Sequence, residues 1–242
     1  MDSIGIGYRF KANCGDYAEV IAYENSVNVT VRFDCGHERK TRTGDIRRGR
    51  VKNHNKKTIY GVGFIGAGEY KSRIDGELTK AYSVWSGIMQ RCYDISCKAY
   101  SSGYSDCSVD SRWHNFQNFA AWHHDNYIYG YHLDKDLLVI GNRIYSEDTC
   151  IFVPQWVNNL FANSSTTGCR PKGDGYAAYY AANGKQIHAG MFDCQIEASA
   201  HARVMRCNHI SEKINTSALD ENIYEAVLRR LEYLKEGGVV SE

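Results

Sequence analysis

The chain has 242 residues, with 29 Lys+Arg against 28 Asp+Glu, 43% hydrophobic residues, 24% charged residues and two prolines. That content excludes a wholly disordered chain, and no apolar run approaches the roughly 18 residues of a membrane span. The net charge of +1 excludes nothing, because it averages blocks of opposite sign.

The start, Met1-Asp2-Ser3-Ile4-Gly5, has neither the basic nor the apolar region of a secretory signal. Nine irregularly spaced cysteines then read as reduced thiols, so a cytosolic setting is expected. Two strands follow, over 18–23 and 27–33. In the second, Val27, Val29, Val31 and Phe33 fall on one face, the period-2 signature of a half-buried strand. Gly15-Asp16 and Glu24-Asn25-Ser26 supply turns.

Residues 38–57 hold nine basic groups against Glu38 and Asp45, a net +7 that leaves −6 for the remainder. Arg47, Arg48, Arg50 and Lys52 form the densest part. A stripe this basic on a small module is the footprint of a phosphate-backbone contact. A small barrel or curled sheet with a basic edge is expected there. Gly61-Val62-Gly63-Phe64-Ile65-Gly66 lacks the Lys-Ser/Thr ending of a phosphate loop and precedes no evident helix.

The period then changes. Tyr82, Trp85, Ile88, Met89 and Cys92 are spaced three and four apart, which predicts an amphipathic helix over 80–92. A second helix is expected over 114–124, burying Phe116, Phe119 and Trp122. A strand over 131–139 runs into the turn Gly141-Asn142-Arg143, Ser146 caps the turn that follows, and Pro154 starts a helix over 155–161. Polar residues 162–167 read as a linker. Beyond it come strands with turns at Gly173-Asp174-Gly175 and Asn183-Gly184, a helix over 195–206, and a final helix over 220–235. That helix buries Ile223, Val227, Leu228 and Leu231, with Glu225 and Arg229 an i,i+4 pair.

Trp85-x-x-Ile88-x-x-Arg91-Cys92-Tyr93, Cys107 to Trp113, Leu133-Asp134-Lys135-Asp136, Gly141-Asn142 and Tyr145 to Cys150 resemble, in order and spacing, the core of phage HNH-type homing endonucleases. The resemblance implies a ββα core in which Asp134 holds a divalent ion, Mg²⁺ or Mn²⁺, and Asn142 orients a general base. Lys135 stands where the base His is expected, and Thr149 where a helix Asn ligand is expected. A lysine is normally protonated near neutral pH, so it is a poor base. His132, on the strand face of Asp134, is the candidate replacement base, and Asp148 the candidate second ligand. The alternative is a DNA-binding platform that does not cleave.

Gly168-Cys169-Arg170, Gly175 to Tyr179, Gly184 to Asp193 and Glu197-Ala198 resemble the ethylene-response-factor (Apetala-type) DNA-binding domain. The resemblance implies a three-stranded sheet on one helix, with the sheet in the major groove, where such a ribbon fits. Alternation sends Ile187 and Ala189 to the helix and Gln186 and His188 to the DNA, joined by Arg170 and Lys172. Tyr176 and Tyr179 make that surface less basic.

Structural zinc is not expected, since no Cys or His pair has finger or ribbon spacing. The expectation is an α+β protein: a basic β-module over 1–58, an HNH-like core over 59–162, an Apetala-type domain over 163–211 and a C-terminal helix over 212–242. Its partner is double-stranded DNA and not a membrane, its activity metal-assisted phosphodiester hydrolysis, and its setting the cytoplasm of an infected bacterial host. The final 52 residues sum to −3 and are not expected to touch DNA.

Overall fold

A computed structural model describes residues 3–97, 104–161 and 168–238. The expected linker, 162–167, lies outside the described residues. The protein is α+β, with helices and several small sheets. It divides into two compact units, one of residues 1–105 and 109–124, the other of 106–108 and 125–242. No described helix is long and apolar enough to cross a membrane.

In the first unit β1 (Arg9–Lys11), β2 (Tyr17–Asn25), β3 (Asn28–Phe33) and β4 (Glu38–Thr41) form an antiparallel meander in chain order. Val20, Val29, Val31 and Phe33 are each no more than 1% exposed, and each full burial contributes about 1.5–3 kcal/mol. Val27 leaves the expected stripe: it sits in the β2–β3 turn, where its N–H donates to Asn25 Oδ1, and its side chain is exposed. The short α1 (Thr43–Arg47) closes the core with Ile46, aided by Val51.

A hairpin of β5 (Arg73–Ile74) and β6 (Glu77–Leu78) leads to α2 (Lys80–Tyr93). Thr79 caps α2 by accepting from Tyr82 N–H, and the helix buries Trp85, Ile88, Met89 and Cys92, four of the five residues whose spacing predicts it. Trp85 Nε1–H donates to Trp113 O at 2.7 Å, so the indole is buried without an orphan donor. After β7 (Ser108–Val109) and a 3-10 turn over Ser111–His114, α3 (Phe116–Asn126) starts two residues later than expected. It buries Phe116, Phe119 and His123, while Trp122 is half-buried. The glycines at 61–66 find their reason here. A Cβ on Gly63 would lie 2.8 Å from Met89 Cε and 2.9 Å from the Trp85 ring, so the segment is small in order to approach α2.

In the second unit β8 (Tyr131–Asp134) pairs antiparallel with β10 (Ile151–Pro154), and β9 (Ile144–Tyr145) lies between them in sequence. The strand expected over 131–139 ends at Asp134, because that side chain turns the backbone on itself, as described below. The helix after Pro154 is a single turn, α4 (Gln155–Asn158), shorter than expected.

Strands β11 (Cys169–Lys172), β12 (Gly175–Ala182) and β13 (Lys185–Phe192) make an antiparallel sheet with a bulge at Ala178/Tyr179. The next helix, α5 (Gln195–Asn215), runs nine residues beyond the expected end. Its first half buries Ala198 and Ala202 in the small core with Cys169 and Ala178. Its apolar period continues through Cys207, Ile210 and Ile214, which join a second core with Leu137, Val153, Phe161 and α6 (Glu221–Lys235). That second core needs the extra turns. In α6 Ile223, Val227 and Leu231 are buried as expected, with Leu228 half-buried.

Candidate nucleic-acid interface and the Asp134 turn

The turn after β8 holds the residues expected to carry chemistry. Asp134 Oδ1 accepts the N–H groups of Asp136 at 2.9 Å and Leu137 at 2.7 Å. This side-chain turn halts the strand and drives Leu137 into the core, where it is 3% exposed. Asp136 consequently does not continue the strand face of His132 and Asp134. Burial pushes the Asp134 carboxyl up from its ordinary value, and the neighbouring Asp136 charge adds to the rise.

Asp136 is bound on both oxygens. Lys135 Nζ donates to Oδ2 at 3.0 Å, and the Arg230 guanidinium of α6 donates to Oδ1 at 2.8 Å. Burial works to raise the Asp136 carboxyl, but the two cations outweigh it and hold it below the usual range. Lys135 Nζ also donates to Asn142 O at 3.3 Å, and Asn142 Nδ2 returns hydrogen bonds to Lys135 O at 2.6 Å and Ile144 O at 2.7 Å. The Asn142 amide therefore fixes the backbone of position 135. Lys135 is a paired cation, its side chain only 10% exposed, and not a base waiting for a proton.

Of the other expected groups, Thr149 meets this cluster at the Ile144 carbonyl, which it shares with Asn142. His132 is exposed, opposite Val153 in the register. Asp148 is exposed in the 147–149 turn, and Thr149 Oγ1 donates to Ile144 O at 2.8 Å. Nearby, burial pushes the Cys150 thiol up to about 12.

A resident Mg²⁺ does not fit these residues. One oxygen of Asp134 already serves two backbone donors, both oxygens of Asp136 serve cations, and a divalent ion would sit beside two fixed positive charges. No three His, Cys, Asp or Glu side chains among the described residues are grouped to hold a metal.

Arg230, 94 positions from Asp136, was invisible to local motif reading. Its signal lay in the helical period: 223, 226, 227, 230 and 231 form one stripe, and Arg230 is the single charge on it. Arg230 is 4% exposed, and its guanidinium carbon lies over the Phe161 ring at 4.5 Å.

The second candidate surface is the sheet of β11–β13. Cross-strand partners share a face, so the register assigns the two sides. Cys169↔Ala178 and Tyr176↔Phe192 face α5, as does Tyr180, whose ring meets His209 of that helix. Arg170↔Ala177, Lys172↔Gly175, Tyr179↔His188 and Ala181↔Gln186 face away. The four residues expected at DNA are thus brought to one exposed face. Tyr179 sits between two of them, its ring 5.5 Å from the Arg170 guanidinium carbon and 5.3 Å from the His188 ring. Tyr176 does not belong to this surface, since it packs on the helix side. Ile187 is 37% exposed and outside the small core, whereas Ala189 packs on it. The bulge, with Gly190 at φ 133°, shifts the alternation there.

Arg47, Arg48, Arg50 and Lys52 are all exposed, at and after the end of α1. Asp45 takes Arg42 at 3.2 Å and Arg50 at 3.4 Å, which leaves most of the stripe's charge facing solvent. Arg39 is turned inward, with Nη1 against His54 Nε2 at 2.5 Å and Lys52 O at 3.1 Å.

Among protein-family models, curated proteins and solved structures, none matches the chain.

Proposed function

We propose that the protein binds double-stranded DNA, with the exposed face of β11–β13 entering the major groove and the basic stripe of residues 47–52 contacting phosphates. One observation carries this reading: Arg170, Lys172, Gln186 and His188 share the sheet face turned away from α5. These side chains carry donors and acceptors suited to base edges and phosphates, and a three-stranded ribbon fits the groove. The stripe supplies sequence-independent attraction, and two linked weak contacts raise affinity through effective concentration. A reducing compartment, the cytosol of an infected bacterium, fits nine cysteines that form no disulfide.

Binding without cleavage is the preferred form, because Lys135 and Asp136 are committed to an internal ion pair. Phosphodiester hydrolysis is the second reading, favoured by Asn142 holding the backbone of position 135 as an orienting Asn would. Selection from a randomised duplex library in EDTA, followed by salt titration, tests the first. Enrichment of a defined sequence with a steep salt dependence is expected, and absence of both overturns it. Strand scission with Mg²⁺ or Mn²⁺ that disappears in Asp134→Ala would establish the second.

A further inference from the structure

We propose that Lys135 and Arg230 together supply the positive charge that a divalent ion would supply to the Asp134–Asp136 carboxylate pair, making this turn a metal-independent structural lock between β8 and α6. The inference rests on the non-cleaving form of the function proposed above and gives its chemical reason.

The charges balance within one turn and one helix. Two carboxylates two residues apart repel, and burial makes the repulsion stronger than in water. A divalent cation is one way to hold such a pair. Two monovalent cations are another, and both are present here at hydrogen-bond distance of Asp136, at 3.0 and 2.8 Å. They arrive from independent directions: Lys135 from the turn itself, Arg230 from a helix 94 residues later.

Arg230 is not an incidental surface contact. It is 4% exposed, lies on the apolar stripe of α6 and rests over Phe161, and its Nε–H is buried with no acceptor. Burying a guanidinium with an unmet donor is costly, and the contact with Asp136 offsets part of that cost. The other two sides of the lock are the backbone donors on Asp134 Oδ1 and the Asn142 amide on the Lys135 carbonyl. These partners of the pair are all internal, and the turn positions Leu137 in the core that α5 and α6 share.

The test is Mn²⁺ binding and thermal unfolding of the full chain, with no DNA present. The intact protein is expected to show no saturable Mn²⁺ site by calorimetry and the same Tm in EDTA and in millimolar Mn²⁺. Arg230→Met keeps an unbranched apolar stem on the stripe of α6 and removes the charge. A fall in Tm of roughly 5–10 °C in EDTA is expected, given the cost of breaking a mostly buried pair in a chain of this size. Millimolar Mn²⁺ is expected to recover part of that fall, and Asp134→Asn added to Arg230→Met to abolish the recovery. A saturable site in the intact protein that Asp134→Asn removes would overturn the proposal, as would an Arg230→Met protein whose Tm is unchanged. If Arg230→Met does not fold, Arg230→Met combined with Asp136→Asn decides: a folded double variant supports charge compensation, and one as unfolded as the single variant rejects it. Loss of DNA binding in EDTA by the intact protein would instead count against the proposed function and leave the lock standing.

Discussion

The Asp134 turn and the outer face of β11–β13 use charge in opposite ways. In the turn, Lys135 and Arg230 meet Asp136 inside the protein, Asp134 takes two backbone N–H groups and Asn142 holds the Lys135 carbonyl. On the sheet, Arg170, Lys172, Gln186 and His188 lie on the outward face, with the Tyr179 ring between Arg170 and His188. Buried charges that are paired with one another are costly to separate and have little left for a ligand. Exposed polar groups on a rigid sheet stabilise little and remain available to one. The residue types are similar in the two places, and the difference lies in where their partners come from.

The largest effect expected from this contrast is on stability. Asp136→Asn strands two cations, one of them deeply buried, and should cost about 2–4 kcal/mol, below the upper range for buried pairs because the Asp136 side chain is 21% exposed. Urea unfolding of the two proteins checks it. DNA affinity in low salt, measured where both are folded, should change less than twofold. A loss of affinity comparable to that of a sheet-face variant would erase the distinction between the two regions.

A third kind of buried titratable group sharpens the comparison. His123 in α3 is a different case: burial first, then the Lys80 charge and the neighbouring His124, lower its pKa from 6.5 to about 4. Burial and Arg39 lower His37 and His54 in the same direction. A histidine whose folded pKa is depressed binds its proton more readily when unfolded. Stability contributed by the neutral ring is therefore present above pH 6.5 and lost as the pH falls from 6.5 toward about 4. The loss from His123 by pH 4 should amount to about 3 kcal/mol, at 1.36 kcal/mol per unit. Unfolding of wild type and His123→Gln between neutral pH and pH 4 measures it, and a curve of equal steepness in the variant would show that other groups titrate instead.

Next in size is the sheet itself. Arg170→Ala should weaken DNA binding by about 1–3 kcal/mol if the guanidinium reaches a base edge, with relaxed selectivity at one position. Arg170→Lys should not restore it, since a lysine neither forms the planar fork nor stacks on Tyr179 in the same way. Lys172→Ala should instead lower affinity evenly across sequences and reduce the salt slope by about one unit. Fluorescence anisotropy on selected and scrambled duplexes separates the two. Equal losses on both duplexes for Arg170→Ala would make the sheet a phosphate contact alone.

How much of this was legible in the sequence depends on the range of the interaction. Period-2 alternation located β3, and three-four spacing located α2, because both patterns are local. Turn chemistry at Asn183-Gly184 and Gly173-Asp174 bracketed β12, and alternation alone put Gln186 and His188 on one face. The strand expected over 131–139 ends at Asp134 although Leu137, Leu138 and Val139 look strand-like, because one side-chain oxygen of Asp134 decides the turn. A strand continuing to 139 would also set Asp136 on the face of His132 and Asp134, which the turn prevents. The end of α5 was missed because its final turns are set by a core that includes Leu137 and Phe161, far away in the sequence. The Arg230 contact is of that kind too, although its place on the apolar stripe of α6 was readable.

Adjacent residues in α6 offer the smallest and most discriminating comparison. Arg229 and Arg230 are consecutive arginines on one helix, each paired with a carboxylate. Arg229 meets Glu225 at 3.8 Å, one turn back, and both side chains are more than half exposed. Water screens that pair, ordering two long side chains offsets much of its attraction, and such i,i+4 pairs contribute about 0.3–0.5 kcal/mol. Arg229→Ala should therefore shift stability by less than about 0.5 kcal/mol, an effect that added salt removes. Arg230 meets Asp136 at 2.8 Å with its own side chain 5% exposed, so salt has little access to it. Measuring both variants in low and high salt tests the physical basis of the contrast between the regions. A salt-sensitive Arg230 effect, or an Arg229 effect of equal size, would mean that burial is not what separates charge held by the fold from charge left for a partner.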